Sequence, residues 1–240
     1  MQKDLSNIRI AVVIPAFNEE ASIASVVDSV QQVSAESGIF IRAVVVNDCS
    51  KDKTKSILEN LDCVALNLPV NLGIGGAVQT GIKYAYDNEY DYFIQIDGDG
   101  QHPPHHIPEL LKSLLANHWD VVIGSRYLKK EGFQSTIFRR IGIYHFQLLN
   151  KLLTGKTVTD STSGMRMINR KTMKILYEYY PDEYPEPEAI IIFHKNKLKF
   201  GEVPVTMEER LGGVSSIQSF DALYYMFKVS LAVIFTYIKK

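Results

Sequence analysis

Short apolar runs alternate with amphipathic stretches through the first half of the chain. Residues 8–14, 41–46, 64–68, 92–96 and 120–124 are apolar runs of strand length. Between them, 19–34, 54–61, 75–88 and 104–116 read as helices. The last of these is the clearest, with Ile107, Leu110, Leu111, Leu114 and Leu115 on one face and Pro103 and Pro104 at its start. Such alternation predicts an α/β fold, a mostly parallel central sheet with helices on both faces. Ligands of such sheets collect at the carboxyl ends of the strands.

The second half is less regular. Residues 137–153 and 189–197 read as helices, 165–168 and 201–207 as strands, 160–164 as a polar turn and 210–216 as a glycine-containing loop. Residues 181–187 are rich in proline and acid. The expected organisation is one domain over 1–216 and an apolar helical segment over 217–240. As a helix, 222–238 is about 25 Å long at ~1.5 Å per residue. That falls short of a ~30 Å hydrocarbon core, and Lys228 in its middle would cost roughly 2.5–3.5 kcal/mol at the bilayer centre. The pattern suits an interfacial helix, with Tyr224, Tyr225 and Tyr237 near headgroups and Lys228 snorkelling. Packing on the core, or docking to a small integral membrane partner, are the other readings.

Composition narrows the class. The 240 residues carry a formal net charge of -1 and no basic block, which argues against a nucleic-acid partner. Cys49 and Cys63 are too few for a disulfide framework and lack metal-site spacing, so reduced thiols in a cytoplasmic setting are expected. Met1-Gln2-Lys3-Asp4 carries no apolar signal region.

Four polar clusters fall at expected carboxyl ends: Pro15-Ala16-Phe17-Asn18-Glu19, Asn47-Asp48-Cys49-Ser50, Asp97-Gly98-Asp99 and Gly124-Ser125-Arg126. All can line one crevice. Asp97 and Asp99, two residues apart, can face one cation across a glycine that admits close approach. Hard oxygen ligands suit Mg²⁺ or Mn²⁺, and Mg²⁺ usually completes its shell with substrate phosphates. His102, His105 and His106 lack zinc-ligand spacing and read as surface or packing residues. The run Asn71 to Gly76 has glycines but no Gly-Lys-Ser/Thr ending, so it is not a Walker A loop.

Taken in order, the motifs resemble glycosyltransferase family 2, inverting sugar-nucleotide enzymes of GT-A fold. Within it they are most similar to the polyprenyl-phosphate sugar transferases, the group of dolichol-phosphate mannosyltransferase and its bacterial relatives. The blocks are Ile14-Pro15-Ala16-Phe17-Asn18-Glu19-Glu20, Val46-Asn47-Asp48-Cys49-Ser50, Asn71-Leu72-Gly73-Ile74-Gly75-Gly76, Asp97-Gly98-Asp99-Gly100-Gln101-His102-Pro103 and Gly124-Ser125-Arg126-Tyr127. Downstream follow Asp160, Ser163-Gly164-Met165-Arg166, Glu188, Gly201-Glu202-Val203-Pro204, and Arg210 with Gly213 and Ser215.

The resemblance implies a nucleotide site of Pro15, Phe17, Glu19, Val46, Asp48, Asp97 and Gly98, and a Mg²⁺ or Mn²⁺ site of Asp97, Asp99 and Gln101. Asp99, Arg126 and Arg210 would act in the transfer. Arg126, Arg139, Arg140, Arg210 and Ser215 would hold the acceptor phosphate, arginine suiting phosphate by its bidentate fork. The implied reaction moves a sugar, by preference from a UDP-sugar, to polyprenyl (undecaprenyl) phosphate for cell-wall or surface polysaccharide, at the inner face of the membrane. An anionic phosphate acceptor needs no general base, and Tyr184-Pro185-Glu186-Pro187-Glu188 has no Glu-Asp pair. A glycan hydroxyl acceptor with Glu188 as base is the first alternative, and a non-catalytic sugar-nucleotide binding module the second. Ser216 stands where the dolichol enzymes usually have lysine, and Asn47 where an acid is common.

Overall fold

The computed structural model describes residues 7–129, 137–208 and 221–239, without the side chains of 137–141, 221–223 and 225. Its strands are β1 (Arg9–Ala16), β2 (Phe40–Asn47), β3 (Val64–Asn67), β4 (Tyr92–Gln95), β5 (Val121–Ser125), β6 (Arg166–Asn169) and β7 (Phe200–Pro204). They form one sheet in the order β3-β2-β1-β4-β6-β5-β7. Every pairing is parallel except those of β6, which runs antiparallel to both β4 and β5. The expected mostly parallel sheet is present, with one reversed strand inside it.

The helices are α1 (Ile23–Ser37), α2 (Thr54–Leu58), α3 (Gly73–Asp87), α4 (Ile107–Ala116), α5 (Ile137–Thr154), α6 (Arg170–Glu178), α7 (Pro185–Lys195) and α8 (Asp221–Ile238). β1 shows why its sequence does not alternate polar and apolar. Ile10, Val12 and Ile14 pack with α1 and α4, while Ala11 and Val13 pack with α3 on the other face. Each fully buried Ile or Val contributes roughly 1.5–3 kcal/mol, so both faces drive assembly.

The largest departures from the sequence reading have local reasons. α1 starts four residues later than expected, because the Ser22 and Ile23 amides turn back to the Glu19 carbonyl. α7 starts at Pro185 rather than 189, since prolines in a first turn lose no helical hydrogen bond. α6 was not anticipated. It is nine residues long and opened by Asn169, whose side chain accepts from the Thr172 amide.

A third apolar cluster, of Phe146, Ile191, Val229 and Val233, joins α5, α7 and α8. α8 therefore packs on the protein along one side. Lys228 does not snorkel as expected: it pairs with Glu183 at 2.5 Å and lies over the Tyr184 ring. No helix among the described residues is long and apolar enough to cross a membrane.

Candidate active site

The loops that leave β1 and β2 are stitched together at the carboxyl edge of the sheet. The Asn18 amide donates to Ser50 Oγ (3.0 Å), and the Lys51 amide donates back to Asn18 Oδ1 (2.8 Å). The Glu19 amide donates to Thr54 Oγ1 (2.9 Å) and the Lys53 amide to Glu20 Oε2 (2.9 Å). Asn18 and Cys49 both take left-handed backbone, φ 59° and 60°, at the two reversals. The loop after β4 is tied in through Ser22, whose hydroxyl lies 2.8 Å from the Gly98 carbonyl and 3.1 Å from Glu19 Oε2. Pro15, Phe17, Glu19 and Gly98 are thus brought to one end of the sheet, and Phe17 exposes its ring there.

Two residues of the expected nucleotide set have other surroundings. Val46 is wholly buried in the core, so its side chain forms no part of the crevice surface. Asp48 is buried with both carboxylate oxygens taken, Oδ1 by the Leu72 amide (2.7 Å) and Oδ2 by the Gly73 amide (2.9 Å). Its charge sits at the N-terminus of α3, where a helix favours an anion.

Asp97 leads the central group. Its amide donates to His102 Nδ1 at 3.0 Å, which makes that nitrogen an acceptor and places the ring proton on Nε2. The 3.4 Å approach of the same nitrogen to Asp97 Oδ2 is therefore not an ion pair. His102 is buried and fixes the Asp97 loop. Asp99 is buried, with Oδ1 accepting from the Gln101 amide at 3.0 Å. The Gln101 carbonyl accepts from the Glu208 amide, so the loop is held at both ends.

Beside Asp97 the floor of the crevice is polar and incompletely paired. A Cβ on Gly164 would lie 3.0 Å from Gln95 Nε2 and 3.1 Å from Asp97 Oδ1, so only glycine leaves this space open. The hydroxyls of Ser161 and Ser163 are buried without a hydrogen-bond partner, and the Gln95 side chain acts on the Glu186 carboxyl. Arg166, opposite Gln95 across β4 and β6, donates to the carbonyls of Ser163, Ser161 and Glu186. Burial raises the Glu186 carboxyl above its ordinary range, and Arg166 opposes that shift only in part. Asp97 also bears on Glu186 and pushes it the same way as burial. Glu186 is the residue sequence reasoning missed. Its signal lay in the Tyr-Pro-Glu-Pro-Glu run, where only Glu188 was weighed.

Glu188 faces elsewhere. Thr236 of α8 donates to its Oε2 at 2.7 Å, and it lines a cavity of about 440 Å³ with Tyr179, Ala232, Phe235 and Ile238. Burial raises its carboxyl, against the Thr236 bond. The structure does not place it with Asp97 and Asp99.

Arg126 is held in a fork by Asp160, Nε and Nη2 each 2.7 Å from a carboxylate oxygen, and Asp160 is itself pinned by its amide to Glu202. Burial weakens the Arg126 charge, and the Asp160 bonds more than offset it. An arginine expected to be open for a phosphate is already charge-matched here, though it still feels Asp97. Arg210 and Ser215 lie outside the described residues; Arg139 and Arg140 fall in the first turn of α5, their side chains also outside.

The donor set fits a hard divalent cation. Asp97 and Asp99 offer carboxylate oxygen with no sulfur, and among the described residues no group of three or more His, Cys, Asp or Glu could hold an ion alone. Two carboxylates beside unpaired polar floor atoms suit an ion whose remaining ligands arrive with a phosphorylated substrate.

The model of glycosyl transferase family 2 matches residues 11–176, well over half of the sequence. The chain belongs to that family. A UDP-N-acetylglucosamine–dolichyl-phosphate N-acetylglucosaminyltransferase of Methanococcus voltae is 32% identical over 216 residues, spanning 82% of this chain and 84% of that one. A dolichyl-phosphate beta-glucosyltransferase of Trichomonas vaginalis is 25% identical, spanning 86% and 68%. Glucosyl-3-phosphoglycerate synthase of Mycobacterium tuberculosis, solved with Mn²⁺, UDP and phosphoglyceric acid, superposes with a TM-score of 0.74 at 20% identity, over 98% of this chain and 80% of that one. The fold is that of the GT-A glycosyltransferases, and the protein is a glycosyltransferase of family 2.

Proposed function

We propose that this glycosyltransferase moves a sugar from a UDP-sugar to a polyprenyl phosphate. The observation that carries the reading is its similarity, over 82% of its length, to the Methanococcus transferase named for a dolichyl-phosphate acceptor and a UDP-sugar donor. An oxygen of the acceptor phosphate attacks the sugar's C1, the bond from C1 to the diphosphate breaks, and the configuration inverts. A phosphate monoester is largely ionised near neutral pH, so it needs no carboxylate to take its proton. That agrees with Glu188 being turned to Thr236. Asp97 and Asp99 would hold Mg²⁺ or Mn²⁺, which supplies positive charge to the departing diphosphate. Arg126 feels the charge of Asp97, and Arg126, Arg139, Arg140, Arg210 and Ser215 are assigned to the acceptor phosphate from sequence. Undecaprenyl phosphate is the acceptor we favour, at the cytoplasmic face of the membrane, with polysaccharide synthesis as the outlet.

The test is a panel of labelled UDP- and GDP-sugars with undecaprenyl phosphate and Mg²⁺, scored for an acid-labile lipid product. A UDP-sugar should give that product. Transfer only to a glycan hydroxyl would reject the reading. A hydroxyl acceptor is the second reading, in which Glu186, its carboxyl raised by burial and further by the charge of Asp97, would serve as base in place of Glu188.

A further inference from the structure

α5 and α8 lie side by side and run in the same direction. Gly142 faces Met226, and three residues on, His145 Nε2 stands 2.8 Å from Ser230 Oγ. Each helix also turns one side to the core: Ile143 and Phe146 on α5, Val229 and Val233 on α8. At 3.6 residues per turn, the remaining outward sides can be placed. On α5 that side carries Tyr144, Leu148 and Leu152, the last 80% exposed. On α8 it carries Tyr224, Phe227, Leu231, Phe235 and Ile238, all exposed. Each stripe lies across the seam from its own core side, so the two flank the seam and face outward together.

α8 is consequently inverted relative to an ordinary surface helix. Its polar groups Ser230, Thr236 and Lys228 find partners on the protein, while its largest apolar side chains face out. Lys195 fastens the C-terminal end by donating to the carbonyls of Thr236 and Lys239. An apolar face fixed by polar bonds behind it is built for an apolar or interfacial medium.

Charge selects the occupant. α5 contains Arg139, Arg140 and Lys151 and no acid, α8 has Asp221 as its one acid, and Lys239 and Lys240 follow it. By sequence, this element pair with the two lysines after it carries an excess of cations in a chain whose net charge is -1. A second copy seated here would set like charges against each other. We infer that α5 and α8 together form a docking surface for an anionic lipid bilayer, with Tyr144 and Tyr224 at headgroup depth. The inference rests on the lipid-acceptor reading for its purpose, but its test does not, since the vesicles contain no polyprenyl phosphate.

The experiment is flotation of the full chain with phosphatidylcholine vesicles, with and without phosphatidylglycerol. The wild type should float with the anionic vesicles and about tenfold less with the neutral ones. Leu148→Glu on α5 and Phe227→Glu on α8 should each cut the bound fraction about fivefold or more, with melting temperature and UDP affinity unchanged. Should either variant fail to fold, Leu148→Ser and Phe227→Ser read the same loss more gently. Three results overturn the inference: wild type that does not float, Leu148→Glu that floats like wild type, or a solution dimer that both substitutions dissociate. Flotation without sugar transfer would leave the docking surface standing and reject the lipid-acceptor reading.

Discussion

Asp97 and Asp99 share a loop but not an environment, and their variants should differ accordingly. Asp97 is partly open and oriented by His102, whereas Asp99 is buried and braces the turn to Gln101. Asp97→Asn should lower kcat about a hundredfold or more with little change in melting temperature, since one donor of leaving-group charge stabilisation is weakened. Asp99→Asn should show a similar kinetic loss together with a measurable drop in stability. Activity should vanish in excess chelator and return with Mg²⁺ or Mn²⁺; full activity in chelator would refute the metal assignment. Glu186 decides the acceptor chemistry. With a phosphate nucleophile, Glu186→Gln should retain turnover within about tenfold, because no base is required. A loss of three orders of magnitude in a folded variant would make Glu186 the base and the acceptor a hydroxyl.

The α7–α8 contact carries a pH dependence that follows from Glu188. Burial raises its carboxyl, with Asp182 and Glu183 adding to the shift and Thr236 opposing it. The folded state thus keeps the proton to a higher pH than the unfolded chain. The stabilisation is complete below about 4.3, the ordinary glutamate value, and is lost as pH rises through the folded value. Glu188→Gln still accepts from Thr236 and has no proton to lose. It should melt higher than wild type at pH 8, with the gap closing toward pH 4.5, as thermal unfolding at both pH values would show. A variant that melts lower at pH 8 would mean that the ionised carboxylate holds α8. Such contacts were not legible in the sequence. The strands and the DGD loop were, because a two-faced buried strand leaves a run such as Ile10 to Ile14 and ligand loops leave polar clusters after it. α6 escaped because its nine residues are few and mostly polar, with Met173 and Leu176 as the apolar side chains it buries. The different surroundings of Glu186 and Glu188 escaped because they depend on which side of α7 meets β6 and which meets α8.

At the scale of the whole molecule, the proposed nucleotide-sugar crevice and the proposed α5–α8 lipid surface are different kinds of site. The two should respond differently to salt. Nucleotide binding depends on close contacts in a partly buried site, which ions screen little. Attraction of the α5–α8 face to anionic lipid acts over a Debye length, which shrinks from about 10 Å at 0.1 M salt to about 3 Å at 1 M. Raising salt should therefore increase the KM for polyprenyl phosphate in anionic vesicles by about fivefold or more, while kcat at saturating lipid and the affinity for UDP stay nearly constant. With the acceptor dispersed in neutral detergent the salt effect should disappear. Deleting 219–240 is a poorer probe of the same idea, because it uncovers Phe146 and Ile191 where Val229 and Val233 now seal them. That deletion should lower the melting temperature as well as membrane binding, whereas Phe227→Glu should separate the two. A salt-independent KM in anionic vesicles would show that apolar contact alone seats the enzyme, without help from the cations of these two helices.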